Sequence, residues 1–225
     1  QFLLYRYFGI THQEIYLGKL DSPELTPLLG QNERQAYEVH FGPKPGTYFV
    51  ITSKFSDFAR LYLLEGTDFK PITEEQPFEV EGIHLDRNRK RLQVSINNQG
   101  YSQVRAYDAE TFAPIAMPEF ENADHIVNGT YSHNEEFQNF GLSGTFSPGT
   151  KVMYNWKTGE KKIWYQPDLS QFPVRSTRDT LEYYPARDGT MIPMFVRRPL
   201  NCEGKVCPVI VHFHGGPESQ STPGF

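Results

Sequence analysis

Cysteine is nearly absent: Cys202 and Cys207 are the only two in 225 residues, too few for a disulfide scaffold and too far apart for a C-x-x-C redox or zinc motif. Their spacing leaves two states open, a small closed loop in an oxidising compartment or two buried or half-buried thiols. Basic charge is also in deficit, with 22 Lys and Arg against 27 Asp and Glu and a net charge of −5. There is no broad basic field of the kind that phosphate backbones require, so nucleic acid is not an expected partner. No apolar run is long enough to span a bilayer. His12, His40, His84, His125 and His133 are scattered without metal-ligand spacing, and neither a metal nor a cofactor is expected. The chain starts at Gln1 without an initiator Met, a charged leader or the apolar core of a signal sequence, so it is expected to be processed or cut from something longer.

What is abundant is aromatic: Phe, Tyr and Trp make up 14% of the chain, and such residues suit the half-buried pleated surface of a sheet. Residues 1 to about 168 carry many short apolar runs separated by turn signals and no convincing helical periodicity. In register they form a repeat of four strands: Tyr37–Gly42, Thr47–Lys54, Arg60–Glu65 and Phe69–Thr73, then Val80–Leu85, Arg91–Asn97, Gln103–Tyr107 and Ala113–Met117. A third copy runs Ile126–Ser132, Phe140–Phe146, Lys151–Trp156 and Lys162–Tyr165. Ahead of these, Phe2–Phe8, Glu14–Leu20 and Leu25–Leu29 supply three strands of an incomplete copy. Turns after the third strand fall near Asp21, Gly66, Asp108 and Lys157, a spacing of roughly 42 to 49 residues that equals one four-stranded propeller blade. The basic run Arg87–Arg91 separates two of these strands and is expected to be a solvated hairpin turn. Asn128-Gly-Thr130 fits a glycosylation acceptor, a pattern short enough to arise often by chance.

After about Arg175 the repeat stops. Leu181–Val196 is predicted to form two strands around Arg187-Asp188-Gly189, since Asp-Gly is a strong hairpin signal. Pro208–Phe213 is a nearly continuous apolar run, expected to be a central strand buried on both faces, with His212 packed in the core. It leads into His214-Gly215-Gly216-Pro217, where two glycines let the main chain approach a substrate atom and the proline stiffens the turn. Amides held this way serve as donors to a developing oxyanion, although the same residues would also serve as a plain tight turn.

Arg187-Asp-Gly-Thr-x-Ile-Pro193, an apolar strand and His214–Pro217 together resemble the start of the catalytic domain in serine peptidases of the prolyl oligopeptidase family, nearest its acylaminoacyl-peptidase and dipeptidyl-peptidase branches. Thr52-Ser-Lys, Phe58–Tyr62 and Asn98–Ser102 are similar to that family's blade hairpins. The resemblance implies a mainly β chain, with a partial β-propeller over 1–175 and the first strands of an α/β-hydrolase domain over 176–225. It implies a peptide substrate and a Ser-His-Asp triad beyond Phe225, with Gly216 as an oxyanion-hole donor, Gly215 providing room and His214 lining the pocket. No catalytic residue is expected within the chain itself. Gly141-Leu-Ser-Gly-Thr145 lacks the second glycine of a nucleophile elbow and is expected to be structural, and Glu74-Glu75 to be a solvated turn. Two other readings remain: a non-catalytic propeller that binds a peptide or protein, and an esterase.

Overall fold

The computed structural model describes residues 1–171, 179–199, 202, 204–216 and 219–225. Among the described residues seventeen strands follow one another, and no helix occurs apart from a single-turn residue at Cys202. The first meander is β1 (Phe2–Gly9), β2 (His12–Lys19) and β3 (Ser22–Leu29), antiparallel in sequence order. The second is β4 (Glu38–Phe41), β5 (Thr47–Thr52), β6 (Arg60–Glu65) and β7 (Asp68–Pro71). The third comprises β8 (Glu79–Leu85), β9 (Arg91–Asn98), β10 (Tyr101–Asp108) and β11 (Pro114–Ile115). The fourth comprises β12 (His125–Tyr131), β13 (Phe137–Gly144), β14 (Ser147–Asn155) and β15 (Lys161–Tyr165). A separate hairpin, β16 (Thr180–Pro185) and β17 (Met191–Val196), completes the order. These strands fall where the repeat places them, within a few residues at each end. The chain forms two compact units, one of residues 1–97 and 105–115, the other of 98–104 and 116–225.

In the first unit the packing follows from the period of a strand, whose successive side chains face opposite ways. All six residues of β5 are buried, which is possible only for a strand covered on both sides. Tyr48 and Val50 join Ile15, Leu29, Tyr37, Val39 and Leu64 in one core. Phe49 and Ile51 face the other way, into Leu61, Val80, Leu92, Val94, Ile96 and Ala109. Each sheet therefore packs on the next through side chains of alternating direction. Fully burying a residue such as Phe49 contributes about 1.5–3 kcal/mol.

The polar turns are built by carboxylate and amide oxygens that accept main-chain N–H groups, as short polar side chains do where a strand must reverse. Asp86 accepts from Lys90 and Arg91 at 2.6 and 3.1 Å, and Asp108 from Glu110 and Thr111 at 3.1 and 2.8 Å. The basic run is thus a turn, with Arg87 and Lys90 exposed and Arg89 donating to the Gly42 carbonyl at 2.6 Å. Glu75 is largely exposed and sits 3.6 Å from Arg60, in keeping with a solvated turn.

In the second unit Phe140 is fully buried among Phe120, Tyr154 and Trp156, and the Trp156 indole N–H donates to Gln138 Oε1 at 3.1 Å. Asn155 closes the β14–β15 turn by accepting from Lys157 and Thr158 at 2.8 and 3.1 Å. Ser102 of β10 pairs in parallel with His125 of β12.

Candidate functional site

The β16–β17 hairpin forms as the Asp-Gly signal requires, in register from Thr180 opposite Val196 to Pro185 opposite Met191. Its turn is closed by Ala186 N–H to the Thr190 carbonyl at 2.7 Å and Gly189 N–H to the Ala186 carbonyl at 3.0 Å. Asp188 accepts the Thr190 N–H at 2.9 Å, which holds its carboxyl below the usual carboxylate range. At the open end Arg198 pairs with Glu182, whose pKa that contact, helped by Thr180, lowers to about 2.

Arg197 makes a two-pronged pair with Asp179, Nε to Oδ1 at 2.7 Å and Nη2 to Oδ2 at 2.8 Å, and this keeps the guanidinium charged. Asp179 is buried, and its N–H reaches Thr145 Oγ1 at 3.5 Å. Thr145 in turn donates through N–H and Oγ1 to Asp124 Oδ2 at 2.8 and 3.0 Å. Gly144 permits this, since a Cβ there would lie 2.4 Å from Asp124 Oδ2. The Gly141–Thr145 string therefore ends a strand and packs, as its sequence context implies. Gly100, at φ +90°, plays a similar part: a Cβ on it would stand 2.8 Å from the Phe195 ring, which itself meets Tyr101 edge-on at 5.5 Å.

Cys202 and Cys207 are disulfide-bonded with Cα atoms 5.9 Å apart, which decides the alternative left open by their spacing. The next segment corrects an expectation. Pro208–Phe213 is neither strand nor buried: Val209, Ile210, Val211 and Phe213 are 82%, 94%, 68% and 79% exposed. Apolar composition gives a segment the propensity for a buried strand, but a strand exists only with hydrogen-bonded neighbours, and none of the described strands pairs with 208–213. His212, expected in a core, is exposed for the same reason.

His214, Gly215 and Gly216 are exposed as well. His214 Nδ1 lies 2.8 Å from the Gly215 carbonyl and donates to it, since a carbonyl only accepts. Nothing stands within 4 Å of where a Gly215 Cβ would be, and Gly216 has φ +142°. Pro217, the last residue of the tetrad, lies outside the described residues. A hollow of about 500 Å³ in the same unit is lined by Phe120, Leu142, Phe146, Val152, Lys161 and Ile163, and residues 208–216 do not line it. Among the described residues no group of His, Cys, Asp and Glu has the arrangement of a metal site. No helix among them is long and apolar enough to cross a membrane.

Antiparallel meanders of three or four strands following one another, the last two joined through the parallel β10–β12 pair into one eight-stranded sheet, resemble the architecture of propeller blades. No family model matches the chain, and no curated protein matches it. Solved structures do. One, from a study of two prolyl endopeptidases and the role of inter-domain dynamics in their catalysis and specificity, superposes with a TM-score of 0.74 at 16% identity, over 88% of this chain and 29% of that one. Prolyl oligopeptidase B from Galerina marginata, bound to a 35-residue hydrolysis and macrocyclization substrate, gives 0.69 at 15% identity over 88% and 30%. The apo form of that enzyme gives 0.65 at 16% identity over 88% and 29%. At these identities what is shared is the fold, that of the propeller portion of a prolyl oligopeptidase, and the chain spans about 29% of the first structure's length.

Proposed function

We propose that this chain is part of a serine peptidase of the prolyl oligopeptidase family that hydrolyses short peptides, with a propeller over 1–175 and the start of an α/β-hydrolase domain over 176–225. The observation that carries the proposal is the repeat of blade-like meanders, matched at a TM-score of 0.74 to a prolyl endopeptidase structure and leading directly into the Asp188-Gly189 hairpin. On this reading the Ser-His-Asp triad is supplied by polypeptide outside residues 1–225, and residues 208–213 become a buried strand once neighbouring strands flank them. The Gly216 amide donates to the oxyanion, Gly215 leaves room for it, and His214 lines the pocket. The resemblance of Arg187–Pro193 and the His214–Pro217 run to the acylaminoacyl-peptidase and dipeptidyl-peptidase branches is what favours those branches within this reading.

The test is the full-length protein. Its reading frame after Phe225 is expected to contain a G-x-S-x-G elbow followed by Asp and then His, and a fluorophosphonate probe is expected to label that serine. A frame without the elbow, or a complete protein that takes no label, would overturn the assignment.

A further inference from the structure

Residues 221–224 lie against the second unit by contacts made almost wholly through their peptide groups. His125 Nε2 meets the Pro223 carbonyl at 2.7 Å, and Arg197 Nη2 donates to the Gly224 carbonyl. The Gly224 N–H donates to Asp179 Oδ2 at 3.4 Å. The Ser221 carbonyl lies 3.3 Å from where a Cβ on Gly100 would be, so a side chain there would push it back by a few tenths of an ångström. Pro223 brings no N–H that would need a partner.

The three contacting side chains are themselves held. A carbonyl only accepts, so His125 must carry its proton on Nε2, leaving Nδ1 as the acceptor. Ser102 fixes that tautomer, its N–H donating to Nδ1 at 3.3 Å with its hydroxyl 3.2 Å from the same atom. Arg197 is oriented by its fork on Asp179, and Asp179 by the Thr145–Asp124 pair. Their places in the chain make a clamp: His125 opens β12, Asp179 immediately precedes β16, and Arg197 immediately follows β17.

We propose that residues 221–224 are a strap, and that His125, Asp179 and Arg197 are positioning residues which, by gripping its main chain, limit where Gly215 and Gly216 can go. Ser221 is five positions beyond Gly216, and an extended chain over five such steps spans at most about 18 Å. An anchored Ser221 therefore bounds the excursion of the Gly216 amide. Displacing an oxyanion donor by an ångström is enough to cost catalysis, which is why such a donor needs an anchor. The strap rests on geometry alone, whereas its catalytic consequence rests on the function proposed above.

The experiment is hydrogen exchange by mass spectrometry on the full-length protein, comparing wild type with His125→Ala, Arg197→Lys and Gly224→Pro. Gly224→Pro deletes the strap's own N–H without touching a blade, so it keeps the test sound should a clamp variant fold poorly. Each variant is expected to speed exchange in peptides covering 208–225 about tenfold or more, with peptides from β4–β6 unchanged. His125→Gln, which retains an N–H donor, is expected to recover part of the protection. Peptide hydrolysis should lose kcat with KM nearly constant. The strap is refuted if 219–225 exchanges at the unprotected rate in wild type, or if Gly224→Pro and the clamp variants leave its exchange unchanged. Altered exchange in an enzyme that hydrolyses nothing would instead uphold the strap and reject the peptidase.

Discussion

Tyr5 and Val39 are joined twice: the Tyr5 hydroxyl donates to the Val39 carbonyl at 2.8 Å and accepts from the Val39 N–H at 2.7 Å. Tyr5 is on β1 and Val39 on β4, so one phenol satisfies both main-chain groups that the outer edge of β4 presents at this residue. An unsatisfied edge would invite pairing with another strand. Here a side chain from the neighbouring meander closes it, and this ties the two meanders together at a residue that is itself buried.

Tyr5→Phe is accordingly expected to destabilise the first unit by about 1–3 kcal/mol, because it leaves a buried N–H and a buried C=O without partners while barely changing apolar volume. Urea denaturation would show a lower midpoint with an unchanged slope. A midpoint equal to wild type would mean that the double contact contributes nothing net.

Alkaline pH should act on the same contact. Burial raises the Tyr5 pKa, against the lowering influence of Val39, and Tyr37 is raised further by burial and by its hydrogen bond to Glu33 at 2.6 Å. Both phenols are neutral when protonated and hold the proton more tightly folded than unfolded. Their contribution is fully present below the unfolded value of about 10 and is lost as pH rises from there through the folded values. Stability is expected to be flat from about pH 8 to 9 and to fall from about pH 10, less steeply in Tyr5→Phe. A slope that begins well below pH 9 would point to another group.

The blades were legible because their signal is local. Arg60–Glu65 is read from the sequence residue for residue as β6, since alternation and turn chemistry act over a few neighbours. Pro208–Phe213 is more apolar than β6 and yet forms no strand, because burial depends on partners that an apolar run does not specify. The clamp was illegible for a related reason: His125 and Pro223 are 98 residues apart, and a histidine at the start of a blade strand looks like any other. The disulfide lay between these extremes, with a spacing that permits a bond and a Cα separation of 5.9 Å that decides it.

Asn128 shows how a motif can be present and useless. It lies on β12, and both atoms of its side-chain amide are buried without a hydrogen-bond partner among the described residues. A glycan on Nδ2 would have to displace the strand. Protein from a glycosylating host is expected to carry no sugar at Asn128, so digestion with an N-glycosidase should leave the mass of that peptide unchanged. Asn128→Ala should cost less than about 1 kcal/mol or stabilise, since it removes a desolvated amide that gains nothing in return. A glycosylated, folded protein would contradict the burial of Nδ2.

The disulfide offers the most direct check on the segment that leads to Gly215. Lys205 is exposed within the loop that Cys202 and Cys207 close, so trypsin should cut after it. In oxidised protein the two pieces are expected to stay joined on a non-reducing gel and to separate only with reductant. Closing so short a loop stabilises by about 2 kcal/mol at most in the chain-entropy view. Residues 208–213 are exposed, so that stabilisation should remain local. Cys202→Ser with Cys207→Ser should therefore speed proteolysis around Lys205 while leaving the thermal midpoint of the blades unchanged. Pieces that part without reductant, or labelling by iodoacetamide before reduction, would show that the two thiols are not paired.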